Sequence, residues 1–322
     1  MTIILCTKGS SKKPRNSSDK RPFSAVAHFP STVYRPPFPD EATQNDSILL
    51  QLFANLKLKT EEDGPKTDNS GLKVSKKMHR FYLPPARWGA MTLENDEAHH
   101  CVDVLRLDQR SKMVVFDGRG TETTAEIVTI EKGRVRLRSL SSSKTERLRC
   151  AVTLAQAVPK GKKMDIIVQK ATELGVSRIV PLLSERTVVQ VEKEDAPKKR
   201  EKWEQIAIEA AKQCGQNWLP DIVEPTTPKR FLADMDKYEV SLIASLQNDA
   251  RAFKQIFADF YEQHGKRPVS ALILIGPEGD FTPAEASLAK SAGCIPITLG
   301  PIVLRSETAA IFCLSVLAYE LQ

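Results

Sequence analysis

The chain has 322 residues, 41% of them hydrophobic and 27% charged, with a formal net charge of +7. That length accommodates two domains at roughly 100–200 residues each. No apolar run approaches the roughly 20 residues that a membrane helix needs, so no membrane span is expected. The basic balance favours a polyanionic partner through phosphate neutralisation, against the alternative of a soluble protein with a basic surface. The six cysteines, Cys6, Cys101, Cys150, Cys214, Cys294 and Cys313, contain no C-x-x-C pair. This argues against structural zinc and against a disulfide framework, and all six are expected to be buried and inert, with no metal bound.

Residues 1–40 are rich in Ser, Thr and Pro, carry seven Lys or Arg from Lys8 to Arg35, and have only Asp19 and Asp40 as acids. Organelle transit peptides are basic, Ser-rich and acid-poor, and this segment is closer to a plastid peptide than a mitochondrial one. A chloroplast location is therefore expected, with mitochondrion or cytoplasm as alternatives; a generic disordered tail is the competing account. Residues 41–78 are expected to be linker, although Ser47 to Leu58 could form a short helix.

Residues 79–148 are strand-rich. Met113 to Phe116 is an apolar strand, followed by turn chemistry at Asp117-Gly118-Arg119-Gly120. Thr123 to Ile130 and Arg134 to Leu140 alternate, with Lys132-Gly133 as the hairpin turn between them. Val102 to Leu107 is a short helix or turn. Strands this close together predict a small barrel or sandwich.

From residue 149 to 322 strands and helices alternate, which predicts a parallel sheet flanked by helices. The expected strands are Val152 to Ala157, Arg178 to Leu183, Val240 to Ser245, Ala271 to Ile275 and Ile297 to Leu299. The expected helices are Lys163 to Leu174, stopped by Gly175, and the amphipathic Lys199 to Cys214. Thr282-Pro283-Ala284-Glu285 is a capping box opening a helix that runs to Gly293. Ser306 is expected to cap the last helix, with Ile311, Leu314 and Leu317 or Ala318 on its inner face.

Two glycine-bearing loops follow late strands: Ile275-Gly276-Pro277-Glu278-Gly279 and Leu299-Gly300-Pro301-Ile302-Val303-Leu304-Arg305. Open α/β sheets bind ligands at the carboxyl ends of their strands. Glycine permits close approach of backbone to ligand, and proline stiffens the loop. Neither loop is a G-x-G-x-x-G or a Walker A sequence, so a nucleoside suits them better than a polyphosphate.

Those loops, with Leu304-Arg305-Ser306-Glu307-Thr308-Ala309, resemble the signature of the ribosomal RNA small subunit methyltransferase E family, knotted enzymes of the SPOUT group. The resemblance continues upstream through His79-Arg80-Phe81-Tyr82, His99-His100, Val104 to Leu107, Lys160 to Met164, Gln169 to Val176, Ser184-Glu185-Arg186, Trp203 to Ala207 and Gln213-Cys214-Gly215. It implies an α/β fold: a C-terminal SPOUT domain with a trefoil knot, preceded by a small PUA-like β-barrel that binds RNA. It also implies a homodimer that methylates N3 of a uridine in small-subunit ribosomal RNA, free or in the assembled subunit, using S-adenosyl-L-methionine. A non-catalytic RNA-binding assembly factor that keeps the fold is the alternative function.

Carried onto this chain, the resemblance places the cofactor against Gly276, Glu278, Gly279, Leu299, Gly300, Leu304 and Thr308. Ile275, Pro277, Ile302, Val303 and Ala309 lie beside them, and Leu246 forms a third wall. Uridine N3 is a poor nucleophile until its proton leaves. A cation must stabilise the charge on O2 and O4, for which Arg305 is the choice. Glu307 or Glu278 could accept the proton, with Glu307 as the catalytic choice; a first-turn acid complementing the helix dipole is the simpler role for Glu307. Arg80, Arg106, Lys160, Lys162, Lys163, Lys170 and Arg186 are the expected RNA contacts. Three positions depart from the family pattern: Asp280 stands where a second glycine is usual, and Ile302 and Gln216 replace common arginines.

Overall fold

The computed structural model describes residues 78–187, 191–192 and 194–322. The expected transit segment, the helix at 47–58 and the linker lie outside the described residues, as does Cys6.

The first sheet has five strands: β1 (Arg80–Tyr82), β2 (Thr92–Glu94), β3 (Lys112–Phe116), β4 (Thr121–Glu131) and β5 (Arg134–Lys144), in the order β1-β3-β4-β5-β2. The β4–β5 hairpin turns at Lys132-Gly133 as the alternation predicts, but both strands are longer than expected. Irregular register at Thr124/Ala125 and Ile127/Thr129 breaks the ladder, and such breaks bend a strand. On β4, Thr123, Ala125 and Ile127 point inward; on β5, Val135 and Leu137 do so while Arg134, Arg136 and Arg138 face water. Ala125, Ile127, Val135 and Leu137 form one buried cluster with Phe81, Leu93, Met113 and Val115. The segment after β2 is a short helix, α1 (Asn95–His99), running into one π-helical turn at His100–Val104.

The second sheet is wholly parallel, in the order β11-β9-β10-β6-β7-β8. Its strands are β6 (Ala151–Ala157), β7 (Arg178–Leu182), β8 (Asp221–Ile222), β9 (Val240–Ala244), β10 (Ser270–Ile275) and β11 (Ile295–Ile297). Between and after them run α2 (Lys163–Glu173), α3 (Ala196–Cys214), α4 (Pro228–Asp234), α5 (Phe253–His264), α6 (Pro283–Ser291) and α7 (Ser306–Leu321). β6 and β10 are buried along nearly their whole length because helices cover both faces. Successive residues go to opposite sides. Leu154, Leu242 and Ile273 pack with residues of α2, α3, α5 and α7; Ala155, Ile243 and Leu272 pack with Phe231, Leu232 and Ala289 of α4 and α6.

The capping box of α6 is formed: Thr282 Oγ1 accepts from Glu285 N–H, and the Glu285 carboxylate accepts from Thr282 N–H at 2.9 Å. Four expectations are corrected. Ser306 is the first residue of α7 rather than its cap, and its hydroxyl is spent elsewhere. The inner face of α7 is Ala310, Cys313, Leu314, Leu317 and Leu321, with Ile311 half-buried. β11 lies at 295–297, two residues earlier than expected; Pro296 is tolerated because β11 is an edge strand, with β9 on one side and a single bridge to Arg251 on the other. Cys214 is exposed at the end of α3, while Cys101, Cys150, Cys294 and Cys313 are buried and burial pushes each of those four thiols up.

The turn after α3 holds the first sheet to the second. Asn217 is buried, accepts from Arg80 Nη2 at 2.5 Å and donates to Thr145 Oγ1 at 2.8 Å. Trp218 Nε1 donates to the Thr145 carbonyl. Gln216 uses Oε1 to accept from the N–H groups of Asn217 and Trp218, a role arginine cannot fill.

Candidate active site

Strand order sets the site. β9 lies between β10 and β11, so the loops leaving these three strands emerge side by side at the carboxyl edge of the sheet. The two glycine-bearing loops belong to β10 and β11, and Leu246 follows β9 between them. Leu246, expected as a third wall, thus lies on the loop between the other two.

Gly276 opens the first loop under tight packing. A Cβ there would come within 3.2 Å of both Asp280 Oδ1 and the backbone nitrogen of Phe281, and backbone does not give way. Pro277 and Asp280 close a turn through Asp280 N–H to the Pro277 carbonyl. Asp280 stands at φ 58°, the left-handed region that favours glycine. Its Oδ1 accepts from Phe281 N–H at 2.8 Å, the local bond that lets aspartate hold this conformation. Gly300 turns the second loop at φ 107°, which a side chain rarely adopts. Leu246, Ile302 and Val303 are strongly exposed apolar side chains on these loops, whereas Leu299 and Leu304 pack partly against the core. The Ile275 side chain is buried in the core, so only its backbone can face a ligand.

Electrostatics converge on Lys163 at the start of α2. Its ammonium lies 3.3 Å from Glu278 Oε1 and 3.3 Å from Glu307 Oε2. Glu278 Oε1 also accepts from Lys160 N–H. Burial pushes the Glu278 carboxyl up. Backbone N–H groups of Glu278 and Lys160 and the Lys163 ammonium outweigh it, so its pKa is held below the ordinary range. Arg305 precedes α7 and is exposed, as is Thr308, while Ala309 is buried beneath them.

Several expected RNA contacts are committed elsewhere. The Arg80 side chain is only 10% exposed; it donates to Glu122 and Asn217 and lies over the Phe116 ring, so it joins domains rather than meeting phosphate. Lys163 is taken by the two carboxylates. Lys170 pairs with Glu173 one turn away at 2.9 Å. Arg186 donates to the Gly279 carbonyl at 2.7 Å and so braces the first loop. Lys160, Lys162 and Arg106 remain exposed. Sequence reasoning missed Gln156. It sits at the penultimate position of β6, fully buried and bonded to Ser306 at 2.9 Å. An amide in a strand otherwise made of Ala, Val, Leu and one Thr was its signal.

The residues present suit a nucleoside carrying no polyphosphate: two glycine-bearing loops, one tightly packed glycine and exposed apolar side chains beside them. S-adenosylmethionine has this character. Gly276, Gly279, Leu299 and Gly300 would hold it through backbone groups, with Leu246, Ile302 and Val303 against its apolar parts.

The family model described as the RNA methyltransferase domain matches residues 146–318, and the one described as the RNA methyltransferase PUA domain matches residues 93–138. The ribosomal RNA small subunit methyltransferase E of Bacillus subtilis is 31% identical over 71% of this chain and 90% of its own. The solved ribosomal RNA small subunit methyltransferase E of Neisseria gonorrhoeae, bound to S-adenosyl methionine, is 31% identical. It covers 76% of this chain and 98% of its own, with a TM-score of 0.65. A Legionella pneumophila protein solved with the cofactor SAM is 34% identical over the same shares, with a TM-score of 0.67.

Proposed function

The chain belongs to the ribosomal RNA small subunit methyltransferase E family, and on that premise we propose that it methylates N3 of a uridine in small-subunit ribosomal RNA. S-adenosylmethionine-dependent methylation of ribosomal RNA follows from that membership, on a SPOUT α/β domain preceded by a PUA-like domain. The single observation that supports the reading most is the convergence of the β9, β10 and β11 loops on one mouth, with Arg305 at its border. When bound, the cofactor supplies an electrophilic methyl group. The loops fix its orientation, which converts a bimolecular encounter into an oriented one. Arg305 stabilises the negative charge that grows on the uracil oxygens as N3 loses its proton. Glu307 accepts that proton; Glu278, held ionised by three donors, is the weaker acceptor. Lys160, Lys162 and Arg106 contact phosphate.

The trefoil knot, the homodimer and delivery to the chloroplast are parts of the same proposal. The targeting is supported by the Ser-rich, acid-poor composition of residues 1–40. A fluorescent protein fused behind residues 1–77 is expected in plastids, and diffuse cytoplasmic signal would remove that part. The central test is nucleoside mass spectrometry of small-subunit ribosomal RNA with and without the gene. Loss of 3-methyluridine is expected. Its persistence, with another methylated nucleoside missing instead, would move the target base.

A further inference from the structure

Gln156 is fully buried, and both hydrogens of its amide are used: Nε2 donates to the Ala157 carbonyl at 2.9 Å and to Ser306 Oγ at 2.9 Å. A hydroxyl that accepts from an amide has its own proton free for another acceptor. Ser306 Oγ donates to the Gly276 carbonyl at 2.9 Å. The bonds therefore run one way, from the end of β6, through the first residue of α7, into the first residue of the β10 loop. Ser306 stands between Arg305 and Glu307, so the same relay anchors the helix turn that carries them.

Packing alone does not explain an amide here. Gln156 Oε1 is buried and, among the described residues, receives no hydrogen bond. Leaving a buried acceptor unpaired is costly, and leucine would fill this strand position without that cost. Resting on the reading that the Gly276–Asp280 loop holds S-adenosylmethionine, we propose that Gln156 and Ser306 are positioning residues of the methyl-transfer site. Acting through the Gly276 carbonyl, they fix the cofactor loop against the start of α7.

The test is calorimetry of the full chain with S-adenosylmethionine, alongside thermal unfolding without ligand. Gln156→Leu removes both the donor and the unpaired acceptor and puts an apolar side chain of similar size in the buried strand. It is expected to unfold at the parent temperature or above it, yet to weaken cofactor binding about tenfold, the worth of one or two buried hydrogen bonds. A merely structural glutamine predicts the reverse: altered stability with unchanged affinity. Ser306→Ala is expected to weaken binding to a similar extent, and the double variant no further than Ser306→Ala alone, because serial bonds are lost once. Should Gln156→Leu not fold, Ser306→Ala decides by its own affinity. Binding within about twofold of the parent in the folded variants, or penalties that simply add, overturns the proposal. A parent chain that binds no S-adenosylmethionine would instead sink the functional reading beneath it.

Discussion

Lys163 and Glu307, each in the first turn of its helix, form an ion pair at 3.3 Å between α2 and α7. The same ammonium meets Glu278 of the β10 loop at 3.3 Å. One cation thus ties the loop that would hold the methyl donor to the helix that Arg305 precedes. An acidic side chain in the first turn complements the helix dipole, which gives Glu307 a structural role beside the chemical one.

The pH dependence of stability should report Glu278. Its folded pKa lies below the ordinary value of 4.5, so the unfolded chain binds the proton more readily. Its contribution is fully present above that value and is lost as pH falls through the depressed folded value. Glu278→Gln should give a melting temperature that declines less steeply than the parent's on the acid side. Melting curves from neutral pH into that range would show it, and parallel curves would refute the assignment.

Arg305 should matter to the chemical step more than to cofactor binding. Removing one group that stabilises transition-state charge typically costs about 10²–10³-fold in kcat. Arg305→Ala should show a loss of that order in methyl transfer to small-subunit RNA, with the KM for S-adenosylmethionine little changed. A variant with parental kcat would remove Arg305 from the mechanism.

Asp280 should tolerate glycine better than alanine. At φ 58°, alanine keeps the left-handed strain and loses the bond to Phe281 N–H. Asp280→Ala should destabilise by about 1–2 kcal/mol in urea unfolding, whereas Asp280→Gly should be close to neutral. Equal midpoints for the two variants would show that the turn is not set by this dihedral.

Lys212 should be a stability residue. Its side chain is only 8% exposed, and it pairs with Glu97 at 2.9 Å and Glu209 at 3.0 Å. Burial pushes the Glu97 carboxyl up, and Lys212 offsets part of that rise. Lys212→Ala leaves Glu97 buried without its cation, a defect that costs about 3–5 kcal/mol when one partner of a buried pair is removed. Chemical denaturation that finds a loss below about 1 kcal/mol would place this pair among the weak surface ones.

What the sequence made legible was local. The hairpin turn at Lys132-Gly133 and the capping box at Thr282 and Glu285 depend on neighbours within a few residues, and the parallel sheet shows as a local alternation of strand and helix patterns. The two loops were found the same way, by glycine and proline after an apolar run. What escaped depended on distant partners. Arg80 looks like any surface arginine until Asn217, 137 positions away, takes its guanidinium. Ser306 has the chemistry of a cap, and only the arrival of Gln156 and Gly276 diverts its hydroxyl. Arg186 likewise reads as a phosphate ligand until Gly279 is beside it. Charge and hydroxyl content report that a side chain needs a partner, and periodicity reports a face; neither names the partner.

The place of β10 has a consequence for how the protein is made. β10 pairs on one side with β6, at Ser270 to Ala151, and on the other with β9. During synthesis β6 emerges more than a hundred residues before the strand that completes its second edge. Until then a strand that ends up buried along nearly its whole length presents open hydrogen-bonding groups, the condition that invites pairing with another chain. Nascent chains halted near residue 265 should therefore be retained by chaperones or aggregate, and chains halted beyond residue 322 on a linker should not. Comparable solubility of the two would mean that β6 is shielded by another route while translation proceeds.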